Sequence, residues 1–264
     1  MKRALWRALS VGIFAMVVAL PARATNYQDL WWNPNESGWG IQIVQQADTL
    51  FLTWFIYNNA GQPTWVVSDG VTRVSSSPNV VYRGRVVAAT GTFFGAPTWG
   101  GITPRVAGTE VTLTFTDART GTLTYTVDGT TVTKPITRQN LVPIDMRGTY
   151  YGGLLRGSGC ANQGVNTTTY SVTHTPTQSP TTGAITGPIE IVEVGGVLCR
   201  FTGTTTQFGS IIEASGTYTC AGDGTTGTWT GREGTAGEST FSFKLALQSG
   251  SGTCPATIGG FKSP

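Results

Sequence analysis

Glu36 is the acid best placed to do chemistry. It sits in Trp31-Trp32-Asn33-Pro34-Asn35-Glu36-Ser37-Gly38-Trp39-Gly40, where three tryptophans fall within ten residues. Indoles that exclude water would raise its pKa and suit it to proton donation. With Asp48, Asp69 or Glu110 as partner it would make a glycosidase pair, which needs two carboxyl groups about 5–9.5 Å apart. The simpler expectation is that Glu36 hydrogen-bonds the tight Ser37-Gly38 turn. A serine–histidine centre would draw on His174, the single histidine, and on Gly157-Ser158-Gly159. That tripeptide lacks the strand-to-helix setting of a nucleophile elbow, so His174 is expected to be a solvated residue where a strand meets a loop. Asp117 and Asp128 precede Gly/Thr turns and read as turn formers.

The indoles suggest binding rather than bond breaking. Trp31, Trp32, Trp39, Trp54 and Trp65, with Tyr57 and Glu36, are the expected ligand-contact set, and Trp99 is a further candidate. An indole offers a flat apolar face and one N–H donor, which suits a sugar ring or an apolar ligand. The competing reading makes the same rings a barrel core and an end plug. In Thr53-Trp54-Phe55-Ile56-Tyr57, alternation puts Phe55 and Tyr57 on one face and Trp54 and Ile56 on the other, so both faces carry large apolar groups.

Cys160, Cys199, Cys220 and Cys254 all lie in the second half. In an exported chain an even number reads as two disulfides, and the spacing lacks the paired C-x-x-C of a zinc site. A hairpin turning near Phe208-Gly209-Ser210 would set Cys199 opposite Cys220 and leave Cys160 for Cys254; Cys160–Cys199 with Cys220–Cys254 stays open. No phosphate loop, dinucleotide fingerprint or calcium loop occurs, so neither cofactor nor metal is expected.

These residues must be positioned by strands. The chain has 36 glycines and only 12% charged residues, a composition that excludes a helical protein. Period-two alternation marks 41–45, 49–57, 64–67, 81–89, 110–116, 122–127 and 131–137 in the first half. In the second it marks 168–173, 189–194, 198–205, 211–219, 227–231 and 240–247, after a restart at Gly148-Thr149-Tyr150-Tyr151. Residues 175–187, rich in Thr, Pro and Ser, read as an exposed loop. The expected fold is all-β: two small antiparallel barrels or sandwiches, meanders of the avidin or lipocalin kind, over residues 25–140 and 148–264 with a linker at 141–147. The stretch Asp117-Ala118-Arg119-Thr120-Gly121-Thr122 echoes Asp223-Gly224-Thr225-Thr226-Gly227-Thr228, as a distant duplication would.

Residues 1–24 read as a signal peptide: Lys2, Arg3 and Arg7, an apolar run from Val11 to Leu20, and a small-residue cleavage site ending at Ala24. The expected product is periplasmic or extracellular, with no membrane span. Without Lys2, Arg3, Arg7 and Arg23 the chain keeps 13 basic residues against 14 acidic ones. That near-neutral balance argues against nucleic acid and anionic membranes as partners.

Glu36-Ser37-Gly38-Trp39-Gly40, Trp54-Phe55-x-Tyr57, Gly61-x-Pro63-x-Trp65 and Thr137-Arg138-Gln139 together resemble a recurring β-rich module of exported proteobacterial proteins. The resemblance covers about residues 29–139. Gly216-Thr217-Tyr218-Thr219-Cys220 resembles segments found beside that module. It implies a bacterial source and export, and it supplies no catalytic residue, because the module has no settled function. The leading expectation is a non-catalytic binding module for a carbohydrate, an extracellular polymer or a small apolar ligand. The alternative is a surface protein acting in adhesion or protease inhibition, and a secreted hydrolase comes third.

Overall fold

The computed structural model describes residues 25–158, 160, 164–195, 199–222, 224–250 and 252–263. The expected leader and its cleavage after Ala24 lie outside the described residues. The first half forms β1 (Asp29–Trp32), β2 (Gly40–Gln46), β3 (Thr49–Tyr57), β4 (Pro63–Ser75), β5 (Val80–Gly91), β6 (Ile102–Phe115), β7 (Thr120–Val127) and β8 (Thr130–Arg138). Each strand pairs antiparallel with the next, and β8 returns to β1 through Trp31↔Arg138 and Trp32↔Thr137, closing an eight-stranded barrel.

The second half forms β9 (Gly148–Arg156), β10 (Gly164–His174), β11 (Thr177–Gln178), β12 (Ile185–Val194), β13 (Cys199–Phe208), β14 (Ile211–Cys220), β15 (Thr226–Ala236), β16 (Thr240–Ser249) and β17 (Gly252–Lys262). Strand β10 passes over β11 to pair with β12, and β17 pairs back onto β9, so this half also closes as an eight-stranded barrel. The choice between barrel and sandwich is thereby settled for both halves. Closure removes the free strand edges that an open meander would expose.

Alternation builds both interiors. Along β7, Gly121, Leu123 and Tyr125 are buried while the threonines between them face outward. Outward threonines pair across strands, Thr124 with Thr133 at 3.1 Å and Thr126 with Thr131 at 2.9 Å. Each barrel encloses its own apolar cluster. Periodicity does not mark β1 and β17, two strands that complete the closures, because neither alternates clearly. Part of the segment expected as a loop is also ordered as strand: β11 and the start of β12 bracket a turn at 179–184.

The disulfides join Cys199 to Cys220 and Cys160 to Cys254. Cys199 and Cys220 face each other directly in the β13–β14 ladder, which turns at Gly209-Ser210.

The barrels touch end to side. Gly209 takes a left-handed φ of 57°, and a Cβ there would overlap the Asp29 carboxylate. Ser210 donates to that carboxylate from its backbone N–H at 2.7 Å and its hydroxyl at 2.9 Å. Arg119 reaches Glu213 at 3.1 Å and covers the Phe208 ring. The buried Gln207 side chain donates to Val142 and accepts from the Ile144 amide at 2.8 Å each, so the linker is pinned to the second barrel.

Candidate functional site

The end of the first barrel away from this junction carries the β1–β2 loop, the β3–β4 and β7–β8 turns and the long β5–β6 loop. It opens into a cavity of about 550 Å³ walled by Ile56, Val66, Ala88, Tyr125, Val127 and Val132. Polar groups form its rim: Asn58, Asn59, Thr130 and the ion-paired Arg105 and Asp128. Local chemistry shapes this rim. The Asn58 side chain accepts from the amides of Ala60 and Gln62, and Gly61 supplies the positive φ, 73°, that the turn demands.

The outer wall at the same end is aromatic. Phe55 lies opposite Trp65 in the β3–β4 ladder, and Tyr57 lies opposite Pro63. Phe55, Tyr57 and Trp65 are 56%, 57% and 49% exposed. Gly38 of the β1–β2 loop lies beside Tyr57, where a Cβ would make ordinary contact with the hydroxyl at 3.6 Å. Together they outline a recess of about 140 Å³. Tyr57 borders both recess and cavity, joining outer wall and mouth into one site.

The expected contact residues divide sharply. Tyr57 and Trp65 stand at the site. Trp32 and Trp39 are half-buried, and Trp39 packs on the barrel core while its indole donates to Glu36 at 3.2 Å. Trp31 and Trp54 are closed off from solvent and belong to the core, contrary to their expected place in the contact set. Alternation explains this: both point inward on strands of a closed barrel. Trp31 donates to the Tyr27 carbonyl at 2.9 Å and lies beneath the Arg138 guanidinium, 4.9 Å from its ring. Trp54 sits one inward position below Ile56, with its ring edge-on to Tyr125 at 5.7 Å. Its indole N–H has no hydrogen-bond partner among the described residues.

Glu36 also differs from expectation. Its carboxylate meets the Lys134 ammonium at 2.6 Å, and this hydrogen bond holds its pKa below the ordinary carboxylate range, the reverse of the rise expected from desolvation. Asp48 lies in the β2–β3 turn, at the other end of the barrel from Glu36. The length of β2 between them is roughly 20 Å, at roughly 3.3 Å per residue. Asp48 pairs with Arg73, and Asp69 pairs with Arg85. Glu110 accepts from the Thr112 hydroxyl.

His174 is buried rather than solvated. Its Nδ1 accepts from the Met146 amide at 3.4 Å, which leaves the Nε2 proton to meet Thr205 Oγ1 at 2.9 Å, and Thr205 donates onward to Gly187. Burial lowers its pKa. Ser158 follows β9 at the opposite end from His174. The paired length of β9 and β10 separates them by roughly 26 Å. The two cannot act together.

Asp117 accepts from the amides of Arg119 and Thr120, and Asp128 takes a positive φ of 48° in its turn, the structural roles expected of both. Compared with protein-family models and with curated proteins, the chain matches none.

Phe55 and the inward Ile56, Val66, Tyr125, Val127 and Val132 escape sequence reasoning as site residues. Alternation marks their faces, but only barrel closure shows which inward positions reach an open end.

Proposed function

We propose that the protein is an exported, non-catalytic binding module whose ligand is a small apolar molecule held in the mouth of the first barrel. The observation that carries this reading is the cavity of about 550 Å³ with its wall of Ile56, Val66, Ala88, Tyr125, Val127 and Val132. Ligand sites of this kind are concave, largely apolar and about 300–1,000 Å³ in volume, with a few polar groups for orientation. Burial raises the Tyr125 hydroxyl pKa, and the Glu36 charge adds to the effect, so Tyr125 stays a neutral donor. Two disulfides suit an oxidising compartment, and among the described residues no helix is long and apolar enough to cross a membrane. Export by cleavage after Ala24, and kinship with the exported module that the tryptophan motifs resemble, form part of this proposal.

A second reading is supported by the outer wall, where Phe55, Tyr57 and Trp65 present exposed rings suited to stacking on a polysaccharide. Titration of the exported protein with N-phenyl-1-naphthylamine and with soluble polysaccharides separates the two. Saturable, equimolar dye binding that Val132→Lys abolishes and Trp65→Ala preserves supports the mouth. Polysaccharide binding lost in Trp65→Ala and kept in Val132→Lys supports the wall. Failure of the folded wild type to bind any probe refutes both.

A further inference from the structure

Strands β5 and β6 do not stop at the mouth. Ala88 and Arg105 are paired in the cavity wall, and the ladder continues through Ala89↔Pro104, Thr90↔Thr103 and Gly91↔Ile102. That carries the hairpin about 10 Å past the mouth, at roughly 3.3 Å per residue. The 92–101 loop caps it. Between Arg85 and Arg105 there is no Asp, Glu, Lys or Arg. Four large apolar side chains crown the tip: Phe93, Phe94, Trp99 and Ile102, with Phe94 93% and Trp99 69% exposed. The Phe93 and Phe94 rings touch at 4.7 Å, tilted 54° to each other, and Gly95 leaves the room Phe93 needs, since a Cβ there would meet the ring at 2.7 Å.

Three backbone donors of the tip are satisfied from within. The Thr92 amide donates to the Gly101 carbonyl, the Ala96 amide to Phe93, and the Gly100 amide to the Thr92 hydroxyl, which itself donates to Gly101. Pro97 has no N–H to satisfy. Taking a hairpin out of water costs most through unpaired backbone groups, and these three internal bonds lower that cost.

We propose that this hairpin docks the protein onto a zwitterionic lipid surface, with Phe93, Phe94 and Ile102 entering the acyl boundary and Trp99 at the headgroup level. The tip is convex, so it needs no matching pocket in a partner, and a tryptophan beside phenylalanines is the composition favoured at a lipid–water boundary. The charges at its base do not call for anionic lipid: Arg85 pairs with Asp69 and Arg105 with Asp128. The attraction is therefore apolar and insensitive to salt. Docking rests on the hairpin alone and holds whether or not the mouth takes a ligand.

Flotation of the exported protein with phosphatidylcholine vesicles tests the proposal. Wild type is expected to float with vesicles equally at low salt and at 1 M salt. Adding phosphatidylglycerol should change partitioning less than about threefold. Phe94→Ser should weaken partitioning about tenfold, the equivalent of losing one buried Phe side chain, and Phe93→Ser/Phe94→Ser further. Brominated lipid should quench wild-type emission and leave Trp99→Phe much less affected. These sites are exposed, so the variants keep the wild-type circular dichroism spectrum. Three results would overturn the inference. One is the absence of flotation with phosphatidylcholine. Another is binding that needs anionic lipid and disappears in salt. The last is a lipid-free wild-type dimer that Phe94→Ser makes monomeric, because the tip would then pair two copies of the chain.

Discussion

Loss of Arg138 should strongly destabilise the first barrel. Its side chain is fully buried, with Asp29 as its ion partner at 2.8 Å. It also donates to Ala118 at 2.7 Å and to the carbonyls of Gln28 and Asn26. Burial lowers the guanidinium pKa, and the Asp29 hydrogen bond opposes that shift. Arg138→Met keeps much of the volume over Trp31 but leaves the 13%-exposed Asp29 carboxylate without its cation, and three carbonyls without their donor. Removing one partner of a buried pair costs about 3–5 kcal/mol. For a chain of this size each kcal/mol moves Tm by about 2–4 °C, so the transition of the first barrel should fall by about 6–20 °C. Urea denaturation followed by circular dichroism gives the free energy directly. Arg138→Met/Asp29→Asn should recover part of the loss, because the stranded charge is gone while the substituted side-chain amide can still accept from Ser210. A loss below about 1 kcal/mol in Arg138→Met, or a double variant worse than the sum of the two singles, would refute this account of the junction.

Burial lowers the His174 pKa below its ordinary 6.5. The folded state therefore resists the proton, and the stability this group contributes is complete above about pH 6.5 and declines as pH falls towards the folded pKa, by at most about 1.4 kcal/mol per unit. In urea melts across pH 8 to 5, the difference between wild type and His174→Gln should change in that window; a constant difference would refute the neutral, buried assignment. Reducing the disulfides should weaken only the second barrel, by roughly 3 kcal/mol for the 21-residue separation of Cys199 and Cys220 and roughly 4.7 kcal/mol for the 94-residue separation of Cys160 and Cys254. Calorimetry with and without reductant reads this, and a shift in the first barrel's transition would contradict it. At Gly108 a Cβ would overlap the Thr126 carbonyl oxygen, whereas at Gly70 it would meet nothing within 4 Å. Gly108→Ala should therefore cost about 3 kcal/mol or more, and Gly70→Ala should stay within about 0.5 kcal/mol of wild type. Equal melting curves for the two variants would show that β6 yields where the packing says it cannot.

Local periodicity determined the strand content of this protein. Val111, Leu113 and Phe115 alternate with threonines, and a two-residue period leaves one face dry wherever the strand ends up. The Cys199–Cys220 pairing was nearly as local, because a hairpin turning at Gly209-Ser210 sets those cysteines opposite each other. The use of each tryptophan was not local. Trp54 and Trp65 are both large indoles on neighbouring strands, yet one is fully buried and the other half exposed, because strand parity against a closed barrel sends them to opposite sides. Glu36 shows the same limit: its pKa is governed by Lys134, nearly a hundred residues away, which only the return of β8 to β1 brings beside it. His174 reads as solvated next to a Thr/Pro-rich stretch, but packing against Met146 and Thr205 buries it. Sequence decides which residues can be dry. Closure decides which are, since an inward position is core at mid-barrel and a ligand wall at an open end.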